Sequence, residues 1–426
     1  MFNAETEMKK WAPVLDHTDE APITDSYKRA VTAKLLENTE MSLKEQNVAS
    51  NFGSLQETNV NTSSITAFDP VLISLVRRAM PNLIAYDVAG VQPMSGPTGL
   101  AFAMKAKYGN GASITNSPAV AGQPEALFDE ADTDFSGDQA VQHAGELFDS
   151  PETGIATGTG FGTLAGETDV SLNDMGFTID KATVTAKTRQ LKAEYSMELA
   201  QDLKAVHGLD AESELANILS GEILAEINRE VIRSMVITGK VGATSATKAG
   251  TFDLVNDADG RWAVEKFQSL IFQIETEANK IALDTRRGKG NFVICSSNVA
   301  SALAAAGKLT FGGEGLNVDS TGNTFAGLLN GRLKVYVDPY ASTEYATVGY
   351  KGDSAYDAGM FYCPYVPLTM VRAVGENSFQ PKIAFKTRYG LIANPIIGAV
   401  DGIGAAKSNP YYRTFRVGNI NVGGQG

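Results

Sequence analysis

The stretch DAESELANILSGEILAEINREVIRSMVITG, from Asp210 to Gly239, decides how the rest of this chain is read. Asp210 stands where a helix N-cap is expected, Glu212 and Glu214 fall in the first turn, and Arg229 and Arg233 lie toward the far end, as the helix dipole favours. Leu215, Leu219, Ile223, Ile227, Val231 and Met235 step by four, while Ile218, Leu224 and Ile232 widen the apolar face around much of the circumference. Gly239 closes the pattern. The spacing predicts a helix from 211 to about 237, which is roughly 40 Å of continuous element. Such a helix is a spine, and it needs other layers to cover it.

On its N-terminal side, Leu100 to Tyr108 (LAFAMKAKY) alternates with Phe102, Met104 and Ala106 on one face and predicts a strand. From Gly176 the alternation returns through Phe177, Ile179, Ala182, Val184 and Ala186. Between these strands, 109–174 contains twelve acidic residues and no Lys or Arg, so this segment carries nearly all of the formal net charge of −13. Its 155–166 part, IATGTGFGTLAG, has too many glycines for a packed core element. A rising strand, a long excursion and a returning strand predict a projecting β-arm. Farther upstream, VRRAMPNLIAYDVAGVQPMSGPTG (Val76 to Gly99) predicts an apolar helical run ending at Pro81 and a strand from Leu83 to Val91. Pro93, Gly96, Pro97 and Gly99 follow as a turn.

Beyond the spine, Trp262 to about Arg287 predicts a second helix presenting Phe267, Leu270, Ile271, Ile274, Ala278 and Ile281. The strand NFVIC follows, then a small-residue helix from Asn298 to Ala306. Short strands are expected at 332–338, 345–350 and 358–363, with longer ones at Val366–Arg372 and Ile383–Ile392 paired near the spine. The fold class is α+β, without internal repeats.

Residues 1–57 read as a separate, lightly structured unit. Asp25 or Ser26 would cap a helix carrying Tyr27, Val31, Leu35 and Leu36, with polar sequence after it. Residues 58–67 are small and polar, as in a flexible arm. The pattern Leu-x-Glu occurs at Leu35–Glu37, Leu43–Glu45 and Leu55–Glu57, and afterwards only at Leu224–Glu226, inside the spine.

Nothing in the chain assembles a catalytic site. His17, His143 and His207 are scattered, and no HExxH, serine elbow or Cys/His metal spacing exists. Cys295 and Cys363 read as buried small apolar side chains. Asp132-x-Asp134-x-Ser136-Gly137-Asp138 opens like a calcium loop, but its twelfth position is His143 and not a bidentate Glu. No cofactor or metal is expected, and the chain is not read as an enzyme. No apolar run reaches the roughly 20 residues of a membrane span, and no basic stripe offers counterion-release binding to nucleic acid.

Beyond these physical readings, the 76–99 stretch resembles a segment of the major capsid proteins of T4-like tailed bacteriophages. QLKAEYSMELAQDLKAVHGLDAESEL, ILAEINREV, YVDPYAS, TVGYKG, DAGMFYCPYVPLT and FQPKIAFKTRYG resemble that family in the same order. The resemblance implies an HK97-type capsid fold with a spine helix, an N-terminal arm, and the β-arm as its extended loop. It implies a homo-hexameric subunit of an icosahedral head, located in the virion and assembled in the bacterial host cytoplasm. Implied partners are further copies of the chain, a scaffold core, a prohead protease, a vertex protein and decoration proteins, with packaged DNA met only non-specifically. A prohead protease of this family cuts after Glu in Leu/Ile-x-Glu contexts. Phe52-Gly53-Ser54 matches the family's segment before the cut, which places cleavage after Leu55-Gln56-Glu57, before Thr58; Glu37 and Glu45 are secondary candidates.

The implied organisation is a cleaved leader (1–57), an N-arm (58–82), and a peripheral domain with the spine (83–108 and 175–240). The acidic Gly-rich loop (109–174) is shorter than in longer family members, which carry a folded insertion there. An axial domain (241–365), peripheral strands (366–393) and a C-terminal return to the axial domain (394–426) complete it. A pentameric vertex paralogue and an encapsulin-like compartment subunit are the alternatives. Arg77 and Arg78, the first paired basic residues after the implied cut, are expected to contact acidic groups.

Overall fold

The computed structural model describes residues 4–16, 23, 25–51, 83–108, 125–126, 131, 133, 135–137, 160, 162–168, 175–258, 262–310, 324–353, 356–375, 380–395 and 402–420. In chain order these form α1 (Ala4–Leu15), α2 (Ser26–Asn51), α3 (Ala85–Val88), β1 (Gly90–Val91) and β2 (Thr98–Tyr108). Then come α4 (Thr163–Thr168), β3 (Met175–Thr185), β4 (Lys187–Glu194), α5 (Met197–His207) and the long helix α6 (Ala211–Thr238). The remainder is β5 (Gly239–Val241), β6 (Thr251–Asp253), α7 (Ala263–Thr285), β7 (Phe292–Ser296), α8 (Ser297–Ala305), β8 (Leu309–Thr310), β9 (Thr324–Leu329), β10 (Leu333–Asp338), β11 (Tyr345–Gly349), β12 (Met360–Val374), β13 (Pro381–Ala393) and β14 (Asn409–Gly418).

Three sheets result: a four-stranded one ordered β1-β12-β13-β4, the ribbon β2-β3, and an eight-stranded one ordered β5-β14-β11-β7-β10-β9-β8 with β6 beside β14. The four-step stripe on α6 does what its spacing predicts. Ile223, Ile227, Val231 and Met235 are buried in one core with Phe385, Tyr362, Tyr389, Tyr411 and Tyr412. A second core joins Leu270, Ile274, Ala278 and Ile281 of α7 to Val293, Cys295, Val335, Val348 and Phe415. Strand β14 belongs to both cores, since Tyr411 and Tyr412 face the first while Phe415 and Val417 face the second.

Several expectations change. Residues 4–16 and 25–51 are not lightly structured: Trp11, Leu15, Val31, Leu35 and Leu36 are buried in the first core. Beyond Leu36 the sequence is polar, yet Asn38 and Thr39 are buried, and side-chain hydrogen bonds satisfy both. Leu83–Val91 is not one strand, because residues 85–88 turn through a helical loop and only Gly90–Val91 pairs with β12. The expected strands 358–363 and 366–372 are one strand, β12, with register shifts between Pro364 and Val366 and between Val366 and Thr369. Pro364 and Pro367 sit at these irregularities, where a missing ladder N–H is tolerated.

Asp210 occupies the N-cap of α6 without a side-chain cap bond. Gly239 ends the helix at φ −58°, so close approach explains the glycine better than left-handed backbone does. A Cβ there would stand 3.0 Å from the Met235 carbonyl oxygen and 3.1 Å from Thr414 Oγ1.

Candidate assembly surfaces and the processing segment

The ribbon pairs residue for residue from Thr98–Thr185 at its root to Tyr108–Met175 at its far end. At the root, Ala182 and Val184 point inward and are buried with Met94, Phe361, Cys363 and Ile392. Met175, Phe177 and Ile179 alternate on the opposite face of β3, where each is about half to two-thirds exposed. A two-stranded ribbon has no second layer with which to bury such a stripe. Past the far end, Ala126 N donates to Ala106 O, Phe135 packs on Tyr108 at 4.6 Å, and Glu125 pairs with Arg287 after α7 at 3.4 Å.

Helix α5 poses the same problem. Ser196 caps it by accepting from Leu199 N, and Gly208 closes it at φ 66°, yet none of its residues is buried. Met197, Leu199 and Val206 are exposed, and Leu209 and Ile218 extend the apolar surface onto the start of α6. A helix of this length is marginal on its own propensity, so an uncovered apolar face points to another chain. On α7, Phe272 and Leu283 share an outward side three turns apart, and Trp262 stands 74% exposed at the N-cap.

Charged ties hold α6 between the sheets. Arg189 on β4 donates to Glu230 at 2.7 Å, to Glu226 at 3.1 Å and to Tyr389 Oη at 2.5 Å, and Tyr389 donates in turn to Glu230. Burial, then the Glu230 carboxylate, pushes the Tyr389 hydroxyl above its ordinary range. Burial also pushes both cysteine thiols up to about 12, so neither is a nucleophile at neutral pH. His207 ends α5 in solvent, while His17, His143, Asp132, Asp134 and Asp138 lie outside the described residues. Among the described residues no three His, Cys, Asp or Glu side chains converge on a metal site, and no helix is long and apolar enough to cross a membrane.

The processing candidates fall in different settings. Glu37 lies within α2, and Leu35 of the same motif is fully buried. The Lys10 ammonium at 2.7 Å, helped by Trp11 Nε1 at 3.1 Å, holds the Glu37 carboxyl below its ordinary value. Glu45 also lies within α2. In the fourth motif, Leu224 is buried and Glu226 is paired with Arg189. Leu55, Glu57 and Thr58 lie outside the described residues, as do Arg77 and Arg78; α2 ends at Asn51. Sequence reasoning passed over α1, β4 and α5, and with them Lys10, Arg189 and the α5 face. The Ser196 to Gly208 spacing of a cap and a closing glycine was the available signal for α5.

Residues 65–417 match the family model described as Major capsid protein Gp23. The major capsid protein of Salmonella phage ViI is 43% identical over 432 residues, covering 95% of this chain and 96% of that protein. The major capsid protein of Enterobacteria phage T4 is 38% identical over 481 residues, covering 91% of each. The capsid vertex protein of Enterobacteria phage T4 is 31% identical over 247 residues, 55% of this chain and 56% of that protein. Matched by the family model over most of its length and by such relatives over nine-tenths of theirs, this chain belongs to the Gp23 major capsid protein family of T4-like tailed bacteriophages.

Proposed function

We propose that this major capsid protein is the hexamer-forming subunit of an icosahedral head, made as a precursor whose leader is removed after Glu57. The carrying observation is apolar surface that one chain cannot cover: the Met175–Phe177–Ile179 stripe and the unburied face of α5. Modest contacts of that kind, repeated over a closed lattice, sum to a stable shell. The long helix, the two-stranded arm and the two sheet layers support the HK97-type reading. The peripheral domain then takes in all of β12 with β13, β4 and α6, and the axial domain is the eight-stranded sheet with α7 and α8.

Glu57 is favoured over Glu37 because proteases bind extended chain, and Glu37 is held in a packed helix beside a buried Leu35. Removal of 1–57 takes away a net charge of −4 and leaves −9, a balance unsuited to tight adhesion to packaged DNA. The expected partners are the scaffold core, the prohead protease, the vertex protein and decoration proteins, and the chain has no enzymatic role. Identity to the vertex protein is lower and covers about half the chain, which favours the hexamer over the pentamer. An encapsulin-like subunit would keep its leader. Imaging of purified heads tests the assignment: density for this chain should fill six-fold capsomers, and its confinement to five-fold vertices would refute it.

A further inference from the structure

Asn38 lies in the middle of α2, 4% exposed, and its side-chain amide donates to two main-chain carbonyls at 2.8 Å each. One belongs to Met94, just before the arm begins, and the other to Tyr365 on β12. Tyr365 has no partner in the β12–β13 register, which passes from Pro364–Tyr389 to Val366–Arg388. Strand β1 pairs with β12 only at Phe361 and Tyr362, and two further bonds, Gln92 N to Tyr362 O and Met94 N to Pro364 O, finish that edge. Asn38 therefore closes the edge at the point where backbone pairing runs out.

Two more contacts from the same helix reach the same segment. The Tyr27 hydroxyl donates to the Val91 carbonyl, and the Lys28 ammonium lies 3.6 Å from Asp87 and 5.7 Å from the Tyr86 ring centre. The arm starts immediately beyond: Ala186 N donates to Pro97 O, and Thr98 pairs with Thr185. A helix serving only as an apolar cover would carry an apolar side chain at position 38. A buried amide spanning two carbonyls is a specific tie, and without it both carbonyls lose a partner in a buried site.

We propose that α2 clamps the base of the β-arm: Asn38 and Tyr27 hold residues 91–94 against β12, and loss of the leader frees the base of β2 to change direction. The timing of that release rests on the processing reading above, whereas the clamp is a property of the intact chain. Hydrogen exchange on full-length Asn38→Leu/Tyr27→Phe measures it directly. The amides of Gln92, Met94 and Ala186 should exchange about tenfold faster than in the unaltered chain, with Val293 and Thr347 of the eight-stranded sheet unchanged. Equal rates at all five amides, or a rise shared by the eight-stranded sheet, would overturn the clamp. If the double variant does not fold, Tyr27→Phe alone should still speed exchange at Gln92, and an unchanged rate there would count equally against it. The N-terminus of the shell protein is an independent measurement, so the clamp and the processing site can fail separately.

Discussion

The Arg229 guanidinium lies 2.5 Å from the Asp338 carboxylate, joining the middle of α6 to the end of β10. Asp338 is almost wholly buried and also accepts from Tyr345 Oη at 2.7 Å and from Tyr340 N at 3.0 Å. Removing one partner of a buried pair strands the other charge. Arg229→Ala should therefore cost about 2–3 kcal/mol in urea unfolding, discounted because Arg229 is one-third exposed. A loss below about 0.5 kcal/mol would mark the pair as an ordinary surface contact.

Gly390 lies on β13 beneath the root of the arm. A Cβ there would stand 2.4 Å from Val184 Cγ1 and 3.2 Å from Thr185 O. Gly390→Ala should lower stability by about 1–3 kcal/mol and shift the NMR signals of Val184 and Thr185. Unchanged signals would mean that the root has more room than its packing indicates.

The two thiols should resist alkylation. Cys295 and Cys363 are buried, and burial raises both to about 12, so thiolate is scarce at pH 8.5. Iodoacetamide should modify neither in the native chain and both in denaturant. Rapid native labelling of Cys363 would show that the β12 edge opens readily.

Stability should depend on pH at both ends. Burial alone would raise Asp284, but hydrogen bonds from Arg413 and Lys240 outweigh it and hold the carboxyl below 3.8. Glu275 is likewise held below 4.5 against burial, by Lys289 and Arg332. The folded state therefore binds these protons more weakly, and this stabilisation is present above about pH 4.5 and lost as the pH falls. Lys351 works in the other direction: burial pushes it down from 10.5 to about 8. Between about pH 8 and 9 the unfolded chain holds more protons at this amine, so stability should rise with pH there. Above about 9 the two buried thiols, raised to about 12, work in the opposite direction. Urea midpoints from pH 3 to 9 should show both slopes, and Lys351→Met should flatten only the alkaline one.

Much of this architecture was legible. The four-step stripe of α6 survives because it buries one continuous face, which is what a period records. The alternation of β2 and β3 marks a paired ribbon in which, among the described residues, only Ala182 and Val184 at the root are buried. The leader was harder to read, since its packing depends on buried polar groups such as Asn38 whose partners are distant in sequence. The division of β12 into two strands has a related cause, because only the neighbouring strand decides whether an irregularity near Pro364 and Pro367 ends the ladder. The exposed stripe of β3 is invisible in the sequence, since Met175, Phe177 and Ile179 read like any strand face until the structure leaves them uncovered.

Intact-mass and N-terminal analysis of this protein from purified heads tests the central claim most directly. The account predicts a shell chain that begins at Thr58 and lacks all of α1 and α2. A shell chain that retains Met1 would contradict it.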